Sequence, residues 1–142
     1  MSAPVTGHCL CGAVTVELTA PKDAVEICQC AMCRRWGGAF YAALRAESFV
    51  ITGEAAITAY ASSKWGERAF CSACGTNIWW RFLPTGNRSF SAGLFDAAAG
   101  LEIEKEIFVD ERADWCRLEG SHRRMTGEET LAEARAAGFT FD

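Results

Sequence analysis

The sequence lacks long basic runs and long apolar runs, and these absences limit what the protein does. Its 142 residues carry 14 lysines and arginines against 18 aspartates and glutamates, a formal net charge of −4 at pH 7. Because no cluster of basic residues forms a phosphate-binding stripe, we expect no nucleic-acid partner. Because nowhere do about 18 uncharged apolar residues follow one another, we also expect no membrane-spanning helix and no membrane partner.

The start of the chain also lacks a basic segment followed by an apolar one, the pattern of a secretory leader. We therefore expect a soluble, cytoplasmic protein, in which cysteines remain thiols and cluster for metal binding or catalysis. Half of the residues are apolar and 23% are charged, which indicates a folded chain. Without an internal repeat or a low-complexity segment, residues 1–142 are predicted to form one domain, with a core over about 5–118 and a helical tail over about 126–138.

Most of the chain has the alternation of short, half-buried strands. Val14, Val16 and Leu18 alternate with polar residues, the period-two pattern of a strand with one buried face. Further strands are predicted at 24–27, 40–44, 48–51, 57–60, 67–70, 77–82, 89–94 and 104–109. Turns at Gly53 and at 84–87 separate several of them. The fold is therefore predicted to be mainly β, with antiparallel strands.

Two segments are predicted to be helical. Residues 34–36 continue a turn that begins at Cys33, and the two glycines that follow end it. Near the carboxyl end, Thr126 and Glu129 have the spacing of a capping box, residues 131–137 favour helix, and Gly138 ends it.

Seven of the eight cysteines fall into three tight clusters, the spacing of metal ligands. Cys9 and Cys11 form one pair and Cys71 and Cys74 another, and together they complete a four-thiolate set. A closed four-thiolate zinc site is structural, with a folding contribution on the order of 10 kcal/mol in small zinc proteins. The alternatives are iron in the same tetrahedron and buried cysteines that bind nothing.

The third cluster places Cys28, Cys30 and Cys33 within six residues. Three thiolates without a fourth ligand leave zinc an open position, which distinguishes a catalytic zinc from a structural one. Such a centre carries a charge of about −1 and binds a further thiol well, and zinc deprotonates that thiol. Arg34 and Arg35 follow at once, and we expect them to hold the added negative charge and bind substrate.

Other interpretations of the third cluster stay open from the residues alone. Cys116 or a histidine, His8 or His122, would as a fourth ligand turn it into a second structural zinc site. Alternatively, the cluster loses its metal easily, and its free thiols oxidise reversibly, as in a redox-responsive protein. Cys116 itself is expected to be a buried thiol outside both sites.

Three motifs resemble, in order and spacing, the glutathione-dependent formaldehyde-activating (GFA), or CENP-V-type, zinc-binding family: GHCLCGAV at 7–14, CQCAMCRR at 28–35 and FCSACGT at 70–76. The resemblance implies a β-tent fold, in which zinc on four cysteines holds β-sheets together, followed here by a short carboxy-terminal helix. It also assigns Cys9, Cys11, Cys71 and Cys74 to the structural zinc and Cys28, Cys30 and Cys33 to a catalytic one. Two zinc ions per chain are therefore expected, the second more labile.

The resemblance further implies a lyase activity, the formation of S-(hydroxymethyl)glutathione from glutathione and formaldehyde. Members of the family often carry histidine between the first two cysteines of the second motif, where this chain has Gln29. The rival hypotheses are a non-catalytic zinc-binding interaction module and a redox- or metal-responsive thiol protein. The sequence does not decide the oligomeric state, for which a homodimer is one option.

Overall fold

The computed structural model describes residues 3–141, and strands are its main secondary structure. The strands are β1 (Val5–His8), β2 (Thr15–Pro21), β3 (Ala24–Cys28), β4 (Tyr41–Leu44), β5 (Ala46–Thr52), β6 (Ile57–Ala61), β7 (Gly66–Cys71), β8 (Asn77–Phe82), β9 (Asn87–Ser91), β10 (Glu102–Ile107) and β11 (Arg123–Arg124). The helices are α1 (Ala31–Gly37) and α2 (Gly127–Ala136), with 3₁₀ turns at Glu54–Ala56, Ala92–Leu94, Asp96–Ala98 and Val109–Glu111. The predicted mainly β fold with a short carboxy-terminal helix is confirmed.

The strands form two sheets. The smaller sheet has the order β1-β2-β5, and the larger one has the order β11-β10-β3-β4-β9-β8-β7-β6. Neighbouring strands are antiparallel, except that β10 runs parallel to both β3 and β11. The predicted antiparallel sheets are thus present, with one parallel edge that the sequence pattern did not indicate.

The main core takes side chains from both sheets. Val14, Val16 and Leu18 are at most 1% exposed, so the alternation read from the sequence marks the buried face of β2. Ile78 and Phe90 of the larger sheet belong to the same cluster. Burial of these apolar side chains is the main favourable contribution to folding.

Most predicted strands are confirmed within a few residues, but three differences matter. β9 ends at Ser91, and residues 92–94 of the predicted strand form a 3₁₀ turn instead. The short strands β1 and β11 were not predicted. β1 pairs with β2 and β11 pairs with two residues of β10, so both exist through pairing with distant segments.

Both predicted helices are present. Gly38 ends α1 with a φ of 93°, the left-handed conformation that glycine adopts without a steric cost. Thr126 caps α2, and its side chain and that of Glu129 form the predicted capping box. Beyond α2, Phe139 packs edge-on against Phe82 of the same chain, with ring centroids 5.0 Å apart. Neither of the two helices has the length and apolar character that crossing a bilayer requires.

Candidate metal centres

Four cysteine sulfurs meet where the small sheet joins the large one. Cys9 and Cys11 follow β1, while Cys71 ends β7 and Cys74 lies in the turn after it. All four sulfurs lie within 4.8 Å of one another; the Sγ atoms of Cys9 and Cys11 are 3.6 Å apart, and those of Cys11 and Cys71 are 3.8 Å apart. Zinc–sulfur bonds of about 2.3 Å give a tetrahedron with edges of about 3.8 Å. The four-cysteine group therefore fits a tetrahedral metal ion.

Backbone hydrogen bonds shape both turns of the four-cysteine group. The amide of Cys9 donates to the Val14 carbonyl at 3.0 Å, and the amide of Val14 donates back to Cys9 Sγ at 3.3 Å. On the other side, the Gly75 amide donates to the Cys71 carbonyl at 2.7 Å. Cys9 and Cys71 are fully buried. The turn after β1 and the turn after β7 thus direct their cysteine sulfurs toward one another.

Thr76 connects the two turns, a role that sequence reasoning missed. The Leu10 amide donates to Thr76 Oγ1 at 3.1 Å, and the same hydroxyl lies 3.1 Å from Cys74 Sγ. The hydrogen bond with this hydroxyl lowers the pKa of the Cys74 thiol to about 5. The thiolate, which is the form that binds metal, is therefore favoured at Cys74.

The second group lies at the junction of β3 and α1. Cys28 ends β3, Cys30 is the N-cap residue of α1, and Cys33 lies in its first turn. Their three sulfurs lie within 4.8 Å of one another. The Cys33 amide donates to Cys30 Sγ at 3.3 Å, as in an ordinary helix cap with sulfur in place of oxygen. The local chain geometry therefore gathers the three thiols.

Among residues 3–141, no fourth histidine, cysteine or carboxylate joins this three-cysteine group. Cys116 is buried but belongs to neither group. His8 Nδ1 donates to the Cys9 carbonyl at 2.8 Å, and His122 Nε2 pairs with Glu106 at 2.5 Å. The three candidates for a fourth ligand are therefore engaged elsewhere or lie apart.

The three thiols have unequal proton affinities. Hydrogen bonds from Cys28 and Cys33 lower the pKa of the Cys30 thiol to about 2. The hydrogen bond to Cys30 in turn raises the pKa of Cys28 well above its usual range. At Cys33, a hydrogen bond with Cys28 lowers the pKa, but contact with Cys30 and burial outweigh it and raise the pKa to about 11. The thiolate form is therefore favoured at Cys30, and the protonated form at Cys28 and Cys33.

Aromatic side chains surround the three-cysteine group. Trp36 and Trp80 pack against the small cluster around Cys33 and Tyr41, and the Trp36 and Tyr41 rings lie 4.9 Å apart. Trp79 belongs to the main core on the other face of β8, because adjacent residues of a strand point to opposite faces. The three-cysteine group therefore lies on the face of the large sheet opposite the main core, in contact with aromatic side chains.

A buried arginine that sequence reasoning missed contacts this group. Arg68 of β7 is 6% exposed, and its Nη1 donates to Cys33 Sγ at 3.5 Å. Arg68 lies 35 positions from Cys33 in the chain, and only the pairing of the strands brings the two together. The sequence signal was strand alternation, which places Arg68 and Ala69 on opposite faces of the predicted strand 67–70; that Ala69 faces the core is known only from the structure.

The two arginines predicted to bind substrate, Arg34 and Arg35, are less buried than Arg68 and have different hydrogen-bond partners. Arg34 is half-buried and its Nη1 donates to the Glu111 carbonyl at 3.3 Å, while Arg35 is exposed and donates to the Ala31 carbonyl at 3.2 Å. Both lie on α1 beside the three-cysteine group, and their hydrogen bonds go to backbone carbonyls.

Gln29 anchors the three-cysteine loop to a buried carboxylate. Its side chain is fully buried, and Nε2 donates to Glu106, which is also fully buried. Glu106 Oε2 further accepts from Arg124 Nε at 3.0 Å and pairs with His122. The residue that departs from the family pattern thus has a structural partner here, and three donors share one carboxylate.

Comparisons with known proteins show what the chain is similar to. The family model described as "Glutathione-dependent formaldehyde-activating enzyme" matches residues 4–111, a range that holds all seven clustered cysteines. A Schizosaccharomyces pombe protein described as an uncharacterized lyase is 27% identical over 127 residues, which are 88% of this chain and 93% of that protein. The crystal structure of a Rhodobacter sphaeroides protein covers 84% of this chain and 98% of its own, with a TM-score of 0.54. At 19% identity, that likeness concerns the fold alone.

Proposed function

Because the chain belongs to the glutathione-dependent formaldehyde-activating family, we propose that it is a zinc-dependent carbon–sulfur lyase that joins glutathione to formaldehyde. The product is S-(hydroxymethyl)glutathione. The lyase name of the S. pombe relative supports the enzyme class. The family supports the substrates, because its description names both of them.

The observation that carries the proposal is the three-cysteine group. Cys28, Cys30 and Cys33 gather three soft ligands, and among residues 3–141 no fourth side chain completes them. These three residues would hold a zinc ion, which takes four ligands in such sites and would therefore accept one substrate sulfur. Bound there, zinc supplies a thiolate at neutral pH from a thiol whose usual pKa is about 8.5.

The addition needs no oxidant or reductant. The thiol gives up its proton, its sulfur forms a bond to the formaldehyde carbon, the carbonyl π bond breaks and the oxygen takes up a proton. The chain contributes by positioning. The three cysteines would fix the position of the metal ion and so of the sulfur bound to it, and Trp36 and Trp80, which pack against this group, would keep water from one side of it.

Arg34 and Arg35 are proposed as contacts for the glutathione carboxylates. Both lie on α1, within the first two residues after Cys33. Arg35 is exposed and therefore accessible to a ligand. The Arg34 side chain donates to a carbonyl oxygen, and a carboxylate in its place would form a charge-assisted bond. These contacts would orient the thiol relative to the three-cysteine group.

The four-cysteine group is proposed to hold a structural zinc. Cys9, Cys11, Cys71 and Cys74 complete a tetrahedron, which leaves no room for a substrate. We infer two zinc ions per chain, with the second exchanging more readily, and one domain over residues 1–142. The ion at the four-cysteine group would tie β1 to β7 across about sixty residues.

The proposal is tested by zinc content and by exchange NMR with ¹³C-formaldehyde and glutathione. The purified protein should contain two zinc ions, of which a mild chelator removes one, and it should accelerate exchange above the spontaneous rate. C30S should keep the fold and one zinc ion and lose the acceleration. C116S, which removes a buried thiol outside both groups, is the matched control and should keep both zinc ions and the activity.

Other results would contradict the proposal in distinct ways. Two zinc ions that both resist chelation, with no acceleration, would favour the interaction module. One zinc ion with reversible oxidation of Cys28, Cys30 and Cys33 would favour the redox-responsive protein.

A further inference from the structure

Arg68 is a buried cation without a carboxylate partner in the structure. It is 6% exposed, and none of the ion pairs among residues 3–141 includes it. Its Nε donates to Ser62 Oγ at 3.0 Å, and its guanidinium carbon lies 4.9 Å from the centre of the Trp36 ring. Burying a charge is costly unless an opposite charge lies nearby. A negative charge is therefore expected beside Arg68.

Among residues 3–141, the group with anionic chemistry that this guanidinium contacts is the three-cysteine group. Arg68 Nη1 lies 3.5 Å from Cys33 Sγ. With a divalent ion, three thiolates sum to a charge of −1, and a bound substrate thiolate would make the total −2. Because Trp36 and Trp80 cover this region, the local dielectric is low and a neighbouring positive charge acts strongly.

We propose that Arg68 is the positioning residue that holds the negative charge of the three-cysteine site and makes the site select an anionic sulfur ligand. This inference rests on the proposed function, since it needs a metal ion at Cys28, Cys30 and Cys33. Arg68 acts through Cys33. Arg34 and Arg35, with hydrogen bonds to carbonyl oxygens, have the separate role of meeting substrate carboxylates.

The fixed orientation of Arg68 supports this role. Its Nε is held by Ser62 and its plane by Trp36, so Nη1 points at the sulfur without a further ordering cost. A lysine at this position would keep the charge but could not make both hydrogen bonds in the same geometry. Charge and orientation can therefore be separated by substitution.

The test uses protein reconstituted with Co²⁺, whose absorption changes when a ligand binds. The two probes are 2-mercaptoethanol, which binds as an anion and has no carboxylate, and imidazole, which binds as a neutral molecule. In R68Q we expect the affinity for 2-mercaptoethanol to fall by about tenfold or more, the range of a hydrogen bond to a charged group. The affinity for imidazole should stay within about twofold, because no charge is added to the site.

Two further variants serve as controls. R117Q removes the same charge from an exposed arginine and should leave both affinities unchanged. R68K keeps the charge, and its affinity for 2-mercaptoethanol should stay within about threefold of that of the unsubstituted protein.

If R68Q lowers the affinities for 2-mercaptoethanol and imidazole equally, Arg68 only supports packing. If neither affinity changes, the charge of Arg68 has no effect on ligand binding. Either result overturns the inference. If R68Q does not fold, R68M, which removes the charge but keeps an unbranched side chain, decides: a selective loss of affinity for the thiol supports the inference and an unchanged preference for the thiol over imidazole overturns it. Failure of the proposed function is seen separately, because the unsubstituted protein would then bind no Co²⁺ at the three-cysteine group or would not accelerate the formaldehyde reaction.

Discussion

Arg68 and Cys71 lie three residues apart on β7, and they face the two candidate metal centres from opposite sides of one strand. Cys71 belongs to the four-cysteine group and the main core, while Arg68 donates to Cys33 of the three-cysteine group at 3.5 Å. The odd separation places the two side chains on opposite faces of the sheet. Damage to β7 at the first centre is therefore expected to reach the second.

Substitution of Cys71 should unfold the protein, whereas substitution of Cys33 should not. Both side chains are buried, so the comparison is matched for burial. C71S removes one ligand from the group proposed to tie two distant segments together, and we expect a loss of about 5 kcal/mol or more of unfolding free energy. The thermal unfolding and the zinc content of C71S and C33S are measured side by side. A folded C71S protein with one tightly held zinc ion would contradict the structural role of the four-cysteine group.

Metal affinity of the three-cysteine group should rise steeply with pH. The pKa values of Cys28 and Cys33 are raised, and that of Cys30 is lowered to about 2, so binding at neutral pH displaces two protons. The metal-bound form lacks both protons, and the affinity therefore increases by about 100-fold per pH unit below the raised pKa values. The slope of metal affinity against pH is measured between about pH 6 and 8 by competition with a chelator whose own metal affinity is known at each pH. A flat profile would mean that the three thiols have already lost their protons.

Removal of the Glu106 carboxylate should destabilise the protein without removing a metal ligand. Gln29, His122 and Arg124 all bond this fully buried side chain. E106A leaves these donors without their acceptor, and we expect a loss of about 3 kcal/mol. Urea denaturation measures the change.

Glu119 is exposed, so E119A provides the matched control for Glu106 and should change stability by less than about 0.5 kcal/mol. Equal effects of the two substitutions would show that the buried network contributes nothing specific.

The capping box of α2 should contribute about 1 kcal/mol to the free energy of unfolding. Thr126 Oγ1 accepts from the Glu129 amide at 3.1 Å, and Glu129 accepts from the Thr126 amide at 2.9 Å. T126A removes the first of these bonds, while T126S keeps the hydroxyl and should be close to neutral. Hydrogen exchange of the α2 amides reports the local change. Unaltered protection in T126A would contradict the role of the cap.

The strand pattern of the sequence predicted most of the β-structure because one face of each strand is buried and alternation records that directly. It failed where pairing with a remote segment decides the structure. β11 is two residues long and pairs in parallel with β10. At the end of β9, residues 92–94 continue an alternating pattern but turn as a 3₁₀ helix, because Ser91 is the last residue to pair with β4.

For the candidate centres, the sequence by itself determined which cysteines cluster as candidate ligands. Short spacing forces Cys28, Cys30 and Cys33 together through local chain geometry, and the same holds within each pair of the four-cysteine group. Only the tertiary structure decided what surrounds these ligands. It brings Arg68, Thr76 and Glu106 to their partners across separations of 35, 66 and 77 positions. These contacts depend on sheet pairing, which no local pattern encodes. The tertiary structure also decided that, among residues 3–141, Cys116 and both histidines lie outside the three-cysteine group.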